Sequence, residues 1–431
     1  MGEHNPRDRV VITGMSINTG LGDTLEGFRD ALYEGRSSIR RWRAFPTDRV
    51  YSKIGGDISD YDVEAKVASL ETVLPGPIHK RLRKLVARAP WTTKLSMLLG
   101  TAAWHDAGLT TAEIGPDASS VVVSGHNLNA LYLARTRDTF TDEPDFIDGM
   151  TSVYSLDTDH AGSVSEVLQI RGPIYTTGGA CASGNIALRA AVDEVRHHGV
   201  EHALVVGAVL EFAPVDVHAM ALMGAISHQS FNETPELASR PYDTRREGFV
   251  PSHGGAALVI ERLESAQRRG ARIYAEVLSV AAGSDGCHLP QPSEEGQSRT
   301  MARALREAGL RPEDIDYVNA HATSTPMGDL TELRSIKRVF GDHARRLKIN
   351  APKSMLGHTC WAAPLVESVA AIMQMNAGRL HRSINIDEID PEVDLDVCRE
   401  GNVDAPIRHV MKNSFGFGGI NCVSVLRRWE G

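Results

Sequence analysis

The chain has 431 residues, of which 42% are hydrophobic and 23% charged, and this ordinary globular composition excludes a disordered, collagen-like or coiled-coil protein. At about 100–200 residues per domain, the length predicts two or three domain-sized units. The formal net charge of −9 argues against nucleic acid as the main partner, because phosphate binding requires a basic surface.

The segment at the start of the chain, residues 1–8, is polar and lacks the apolar core of a signal peptide. No stretch approaches the ~18 consecutive apolar residues that a membrane-spanning helix requires. The cysteines are few and contain no Cys-x-x-Cys pair, which fits a reduced chain better than a disulfide framework. We therefore expect a soluble, cytoplasmic protein that does not enter a membrane.

Each half of the chain contains a β-rich run, a helix-like stretch that ends in Ala-Gly-Leu, and a second apolar run. These segments are Val10–Thr13, Asp106–Leu109 and Val121–Ser124 in the first half, and Arg272–Val280, Glu307–Leu310 and Ile315–Ala320 in the second. A glycine at a helix end followed by a strand is typical of αβ connections. The pattern predicts a duplicated βαβ unit with parallel strands covered by helices. The longer spacing in the first half predicts an insertion between Tyr33 and Trp91.

A basic stretch within the predicted insertion stands out in an acidic chain. Its basic residues include Lys80, Arg81, Arg83 and Lys84. Two interpretations are open: a solvated helix face, or a docking surface for an acidic partner.

Cys181 follows Thr-Thr-Gly-Gly-Ala and precedes a strong helix former, so we expect it at a strand-to-helix turn. The positive end of the helix dipole would lower the pKa of a thiol there, which favours a nucleophile. The alternative is a small buried hydrophobic residue, the interpretation that we give to the other cysteines: Cys287, Cys360, Cys398 and Cys422.

His321 and His358 each follow an apolar strand and lie in a turn rich in small residues, with Lys353 five residues before His358. The carboxyl ends of parallel strands are where α/β sheets place their chemistry. No helical His-x-x-x-His or paired-cysteine arrangement is present, so we expect no metal site. The glycine-rich segment Asn413–Asn421 predicts a hairpin or a weak phosphate loop without the P-loop lysine.

Taken together, these motifs resemble the β-ketoacyl-acyl-carrier-protein synthases of the elongating type, in the thiolase-like superfamily. The resemblance runs nearly end to end and is carried by several motifs in the family order: Val11–Met15, Ala180–Gly184, Arg240–Asp243, Glu247–Val250, the segments around His321 and Lys353, and Asn413–Asn421. It implies a thiolase-like α/β fold with two duplicated halves in five layers, α-β-α-β-α. The halves would span residues 1–264, with Cys181 and the insertion, and residues 265–431, with His321, Lys353 and His358.

Carried over by position, the resemblance implies that Cys181 takes an acyl group from a carrier-protein or coenzyme A thioester. The backbone amides of Cys181 and Phe417 would form the oxyanion hole. His321 and His358 would hold a malonyl thioester carbonyl and stabilise the enolate left when carbon dioxide departs, and this carbanion would attack acyl-Cys181. Lys353, with Glu367, would orient and charge-balance the site, while Glu332 supports the His321 side.

The resemblance also implies how the substrates arrive. Thr323 and Thr325 would hydrogen-bond the phosphopantetheine arm, and Phe417 would gate the acyl pocket. The arm arrives on the acyl carrier protein, so no resident cofactor is expected. Because carrier proteins are acidic, the docking interpretation gains weight for the basic stretch, and the family implies a dimer, either a homodimer or a heterodimer with a ketosynthase-like subunit.

The chain departs from the family pattern at several positions: His253, Pro290, Trp361 and Pro364, and, in the expected acyl pocket, His126 and Met220. Trp361 and Pro364 stand at usual glycine positions, so packing there must be rearranged. An imidazole in an alkyl tunnel is costly unless it meets a polar partner. We therefore hypothesise a short, polar or unsaturated acyl primer and a specialised polyketide pathway rather than housekeeping fatty-acid synthesis.

Three alternatives stay open. The first is a malonyl-carrier decarboxylase or acyltransferase on the same fold, which Cys181 disfavours and the altered surroundings of Trp361 and Pro364 keep open. The second is a non-catalytic subunit like a chain-length factor, which would lack the nucleophile. The third is a thiolase or priming synthase, which uses other residues around its cysteine.

Overall fold

The computed structural model describes residues 9–431, and the polar segment at residues 1–8 that argues against a signal peptide lies outside this range. The strands are β1 (Val10–Thr19), β2 (Arg40–Arg41), β3 (Ile54–Gly55), β4 (Ser119–Ser124), β5 (Ile174–Thr177), β6 (His202–Gly207), β7 (Gly254–Arg262), β8 (Ala275–Ser284), β9 (Tyr317–Asn319), β10 (Lys348–Asn350), β11 (Arg379–Leu380), β12 (Val403–Asp404), β13 (His409–Gly416) and β14 (Ile420–Arg428). The helices are α1 (Leu25–Glu34), α2 (Val63–Ser69), α3 (Gly76–Val86), α4 (Trp91–Asp106), α5 (Ala130–Asp142), α6 (Thr151–Tyr154), α7 (Thr158–Leu168), α8 (Ser183–His197), α9 (Pro214–Leu222), α10 (Leu263–Arg268), α11 (Glu294–Ala308), α12 (Pro326–Phe340), α13 (Lys353–Leu356) and α14 (Ala363–Ala377).

The main sheet contains the same five-stranded pattern twice. The first half has the order β5-β4-β6-β7-β1 and the second half the order β10-β9-β13-β14-β8. In each half the first three strands pair in parallel and the last two pairings are antiparallel. The identical order and direction confirm the duplication predicted from the sequence.

The two halves meet along one edge and enclose a layer of helices. A short antiparallel pairing of β1 with β8 joins them into one ten-stranded sheet. Helices α8 and α14 contact each other and strands of both halves, whereas α4 and α7 cover the outer face of the first half and α11 covers that of the second, with α12 packed on it. Separate apolar clusters fill the central layer and the two outer ones. This is the predicted five-layer arrangement.

Local sequence signals explain the ends of the long helices. Gly309 follows α11 with φ +69° and its amide bonds the last carbonyls of that helix, and Gly108 near the end of α4 has φ +73°. Residues with a side chain adopt this left-handed conformation at a cost, which is why glycine stands there. Both Ala-Gly-Leu phrases therefore end helices, as predicted.

The extra elements of the first half lie where the sequence predicts an insertion. Strands β2 and β3 and helices α2 and α3 fall between residues 33 and 91, and α3 packs against α2, α4 and α7. The predicted boundary between residues 264 and 265 falls within α10, which links the two repeats, and it stays a prediction. No helix in the described range is long and apolar enough to cross a membrane.

Candidate active site

Cys181 lies in a one-turn 3₁₀ helix, Ala180–Ala182, between β5 and α8. The Ser183 hydroxyl fixes this turn, because it accepts from the Gly179 amide at 2.9 Å and donates to the Ala180 carbonyl at 2.7 Å. A side chain at Gly416 would place its Cβ 3.1 Å from the Cys181 nitrogen, so β13 approaches the turn closely only because it has a glycine there. The sequence prediction of a strand-to-helix turn is confirmed.

The thiol of Cys181 is not activated in the resting structure. Burial raises its pKa to about 11, and the nearby Lys353 ammonium and the backbone amides of Phe417 and Cys181 oppose this shift only in part. The lowered thiol pKa that we predicted from the helix dipole is therefore wrong for the free protein, because the loss of solvation outweighs the favourable charges. The two amides are hydrogen-bonding neighbours of the sulfur.

His321 and His358 lie together beside the thiol. His321 follows β9, and His358 follows β10 after the short helix α13. Their ring centroids are 5.5 Å apart and the rings are nearly perpendicular. Burial and the charge of Lys353 hold the pKa of each imidazole well below its usual range, so both rings are neutral at pH 7.

The tautomer of His358 follows from its hydrogen bonds. The Cys360 amide donates to Nδ1 of His358 at 3.1 Å, so the proton of the neutral ring is on Nε2. Nε2 has no hydrogen-bond partner among the described residues, and the same is true of Nδ1 of His321. His358 therefore presents a free N–H donor.

Glu332 organises the backbone of the His321 loop. Its carboxylate accepts from the amides of His321 and Ala322, at 2.8 Å each, and from the Asn413 side chain at 2.9 Å. Ala322 has φ +29°, an uncommon value that these bonds help to hold. The contact agrees with the predicted position of Glu332 beside His321.

A buried network of charges lies behind the histidines. Lys353 donates to the His321 carbonyl at 2.7 Å and is paired with Glu367. Glu367 has a second cation, because Nζ of Lys412 lies 2.5 Å from its other oxygen. All three charged side chains are at most 2% exposed.

Lys412 was missed by the sequence analysis. Its ammonium donates to the Asn413 carbonyl and to the Ser414 hydroxyl, at 2.6 Å each, and Asn185 of α8 donates to the same hydroxyl at 3.2 Å. Burial lowers the pKa of Lys412 to about 8, although Glu367 opposes the shift. A lysine within the apolar strand before Asn413 was the available signal.

A cavity of 320 Å³ connects Cys181 and both histidines with the surface. Thr323, Thr325 and Phe417 line it, and the two threonine hydroxyls are 3.1 Å apart. The structure thus brings these three residues together with Cys181, His321 and His358. Asn413–Asn421 forms the β13–β14 hairpin, which confirms the first of its two predicted interpretations.

The cavity does not reach His126 and Met220, which we predicted in the acyl pocket. The ring of His126 instead stacks on Trp361, with centroids 4.2 Å apart, and Met220 packs in an apolar cluster that Trp361 also joins. Burial lowers the pKa of His126. Trp361 thus occupies space that a glycine would leave open.

Two other unusual residues have local explanations. Pro364 is near the start of α14, where its missing amide proton is harmless, and it packs against Gly184 of α8, whose added Cβ would lie 3.0 Å from it. His253 is enclosed by the rings of Trp42, Trp91 and Phe212.

The predicted docking residues lie on α3, away from the cavity lining. Lys80, Arg83 and Lys84 are exposed, whereas Arg81 is half-buried and donates to the Val167 carbonyl of α7 at 2.8 Å. Arg81 therefore anchors the helix, and the other three side chains project into solvent.

Two repeats of one sheet topology around paired central helices, with a buried cysteine at the start of one of those helices, define a thiolase-fold protein. The β-ketoacyl synthase N-terminal domain model matches residues 7–266 and the C-terminal domain model matches residues 274–387. The chain therefore belongs to the β-ketoacyl synthase family.

Curated relatives match over nearly their full length. The chain is 32% identical to 3-oxoacyl-[acyl-carrier-protein] synthase 2 of Coxiella burnetii, covering 97% of this chain and 98% of the relative. It is also 32% identical to the polyketide biosynthesis malonyl-ACP decarboxylase PksF of Bacillus subtilis, covering 98% of this chain and 97% of the relative. Both kinds of relative therefore share this fold.

Solved structures agree with this assignment. The ishigamide ketosynthase/chain length factor superposes with a TM-score of 0.87 at 28% identity, covering 98% of this chain and 100% of that chain. A second structure is the AntDE:AntF complex, a type II PKS acyl-carrier protein with its ketosynthase bound to the hexaketide. It gives a TM-score of 0.84 at 26% identity, covering 99% of this chain and 100% of that chain.

Proposed function

We propose that the protein joins an acyl group on Cys181 to a malonyl group on an acyl carrier protein, with loss of carbon dioxide. The observation that carries this proposal is the convergence of a buried thiol and two neutral histidines on one cavity. Nucleophile, hydrogen-bond donors and substrate channel are the parts that a decarboxylative condensation needs.

In the first half-reaction the Cys181 sulfur attacks the carbonyl carbon of the acyl thioester. The bond to the carrier's sulfur breaks, and the thiol proton of Cys181 leaves with the carrier thiol. The amides of Cys181 and Phe417 donate to the oxyanion, because both already face the sulfur. Because the resting thiol has a raised pKa, transfer depends on binding of the substrate at these donors.

In the second half-reaction the malonyl thioester carbonyl accepts the Nε2–H of His358 and a hydrogen bond from His321. The carbon–carbon bond to the carboxylate breaks, carbon dioxide leaves and its electron pair forms an enolate held by these neutral donors. The enolate carbon attacks the acyl-Cys181 carbonyl, and the cysteine sulfur leaves. Lys353, Glu367 and Glu332 position His321 through the contacts described above, and we propose that no resident cofactor takes part.

The partner in this proposal is an acyl carrier protein. A ketosynthase–carrier complex among the solved structures similar to this chain supports it. Thr323 and Thr325 line the cavity and would bind the phosphopantetheine arm, while Lys80, Arg83 and Lys84 would meet the acidic carrier. His126, Trp361 and the other departures from the family favour specialised polyketide biosynthesis over housekeeping fatty-acid synthesis.

We infer a homodimer from the edge of the sheet. Strand β5 is the last strand of the first half, so one side of its backbone has no neighbouring strand in the described chain. Helix α7 packs on β5. The segment before α7 exposes several large apolar side chains: Phe140, Phe146, Met150, Val153 and Leu156. An open edge beside an apolar surface is typical of an interface. A ketosynthase/chain length factor among the similar structures supports a heterodimer as the alternative.

A malonyl-carrier decarboxylase is the second candidate function. The observation that favours it is the stack of Trp361 on His126, which leaves little room for an acyl chain beyond Cys181. A relative with the name of such a decarboxylase has the same overall similarity as the condensing relative.

Intact-mass analysis separates the two functions. Purified protein is mixed with an acetyl-carrier substrate, and the mass of the protein is recorded before and after malonyl-carrier is added. Condensation requires an acyl adduct on Cys181 that disappears as a β-ketoacyl-carrier forms. Release of carbon dioxide without an adduct or a longer product would establish the decarboxylase instead.

A further inference from the structure

Trp361 stands in the second repeat where Cys181 stands in the first. The turns Ala180–Ala182 and Cys360–Ala362 each form one 3₁₀ turn directly before a central helix, α8 or α14. The first residue of each turn has φ +47°. The two turns are in contact, so Trp361 lies next to the nucleophile turn across the approximate twofold relation of the repeats.

The Trp361 ring lies between the backbone at Gly125 and the imidazole ring of His126. It stacks on His126 with centroids 4.2 Å apart and an interplanar angle of 27°. A Cβ on Gly125 would lie 3.3 Å from Cδ1 of Trp361, and one on Gly178 would lie 3.2 Å from Cδ2 of His126. Both glycines follow strand ends, β4 and β5, so the two rings fill the space beneath the segment that leads to Cys181.

The cavity reaches Cys181 from the side of His321 and His358. Its lining includes neither ring of the stack. An acyl group on the sulfur directs its carbonyl oxygen to the two amides, so its chain must either share the cavity with the malonyl thioester or displace the stack. Closely packed rings of this kind leave no space for added methylenes.

We propose that the Trp361–His126 stack is the floor of the acyl site and restricts the group on Cys181 to a short chain of about two to four carbons. This inference rests on the proposed condensation and names its substrate class. Trp361 is then a residue that determines specificity, and it does so by volume. Chain length, rather than polarity, decides which primers are accepted.

The test measures how the rate of acylation of Cys181 changes as the acyl chain of the substrate lengthens. Acetyl-, butyryl-, hexanoyl- and octanoyl-carrier substrates are offered to the whole protein, and the adduct on Cys181 is followed by intact mass. We expect the rate constant to fall at least about tenfold between butyryl and octanoyl, since excluding even one methylene changes discrimination by about that factor. An octanoyl rate equal to the acetyl rate would overturn the inference.

Variants test whether the Trp361–His126 stack sets the limit on acyl-chain length. Trp361→Ala and, independently, His126→Ala should raise the octanoyl-to-acetyl ratio at least about tenfold, whereas Trp361→Phe retains a ring and should keep the ratio low. Trp104→Ala is the matched control, because this tryptophan also meets a histidine ring, but it is buried on the outer helix α4. An unchanged ratio in folded Trp361→Ala and His126→Ala proteins would contradict the inference.

The outcomes also separate this inference from the function on which it rests. Rapid octanoylation of the wild-type protein overturns the chain-length limit while an elongated product supports condensation. The absence of any adduct, together with release of carbon dioxide from malonyl-carrier, overturns both and establishes the decarboxylase.

Discussion

Among individual residues, Glu367 connects the parts of the site through two buried lysines. Lys353 pairs with Glu367 and donates to the His321 carbonyl. Lys412 also pairs with Glu367 and donates to the Ser414 hydroxyl. That hydroxyl in turn accepts from Asn185 of α8, the helix that follows Cys181. Each of these charges is deprived of water, and each is stabilised by the others. Removing one cation therefore leaves a buried carboxylate incompletely compensated.

We predict that Lys412→Met lowers the free energy of unfolding by about 3–5 kcal/mol, the cost of breaking a buried ion pair from one side. Urea unfolding of the whole protein measures it. Lys348→Met is the matched control, because Lys348 pairs with Asp396 at the surface, where both side chains are at least 34% exposed. That pair should contribute at most about 1 kcal/mol. Equal losses in the two variants would contradict the buried network.

His160 predicts a specific pH dependence of stability. It is fully buried beneath α4, where the Ser96 hydroxyl lies 2.9 Å from Nδ1, and burial lowers its pKa to about 3. Below pH 6.5 the unfolded chain binds a proton that the folded chain does not, so this residue reduces stability as the pH falls.

For this reason, the stability difference between wild type and His160→Gln should shift by about 2 kcal/mol against the wild type between pH 7 and pH 5. Denaturant titrations at the two pH values measure the shift. The exposed His198→Gln variant is the matched control for the loss of one histidine. A difference that is independent of pH would mean that burial does not lower the pKa of His160.

At the level of secondary-structure elements, α3 carries the basic surface that we propose as the docking site of the carrier protein. Its exposed basic side chains project away from the packed face, which rests on α2, α4 and α7. Charges in such positions change association more than chemistry.

The double variant Arg83→Glu/Lys84→Glu should raise KM for malonyl-carrier at least about tenfold with little change in kcat, and the effect should weaken as salt screens the charges. Steady-state kinetics at two ionic strengths measure this. Malonyl thioesters of free pantetheine lack the carrier, so they should show no change. A loss with both substrates would mean that α3 acts on the site rather than on docking.

The sequence predicted elements well where the signal is local. Glycine at the end of α11, the strand-to-helix turn at Cys181, and the positions of His321 and His358 after parallel strands depend on neighbours in the chain. The pKa of Cys181 and the stack of Trp361 on His126 depend on residues more than 170 positions apart in the chain. Burial and filled space are properties of the folded molecule, so no local pattern indicates them, and Lys412 acquired its partners in the same way.

At the scale of the whole molecule, the open edge at β5 predicts association. Ile174 of β5 is 41% exposed and Phe146 is 77% exposed in the single chain. Exposed apolar side chains at an unpaired strand are stabilised when a second copy covers them.

We therefore expect the wild-type protein to sediment as a dimer and the Phe146→Asp/Ile174→Arg variant to sediment as a monomer. Analytical ultracentrifugation across a range of concentrations measures both. Val73→Asp changes an exposed apolar residue in the insertion, 48% exposed, and should leave the dimer intact. A dimer that survives the double variant would place the interface elsewhere.

The central claim is that Cys181 holds the acyl group while His321 and His358 generate the carbanion. A single-turnover reaction of acetylated protein with carbon-13-labelled malonyl-carrier tests it, with the mass of the carrier as the readout. We predict a labelled acetoacetyl-carrier from the wild type, no such product from Cys181→Ala, and strongly reduced release of carbon dioxide from His358→Ala. A carrier that loses carbon dioxide but remains acetyl-carrier, while acetyl-Cys181 persists, would contradict the account.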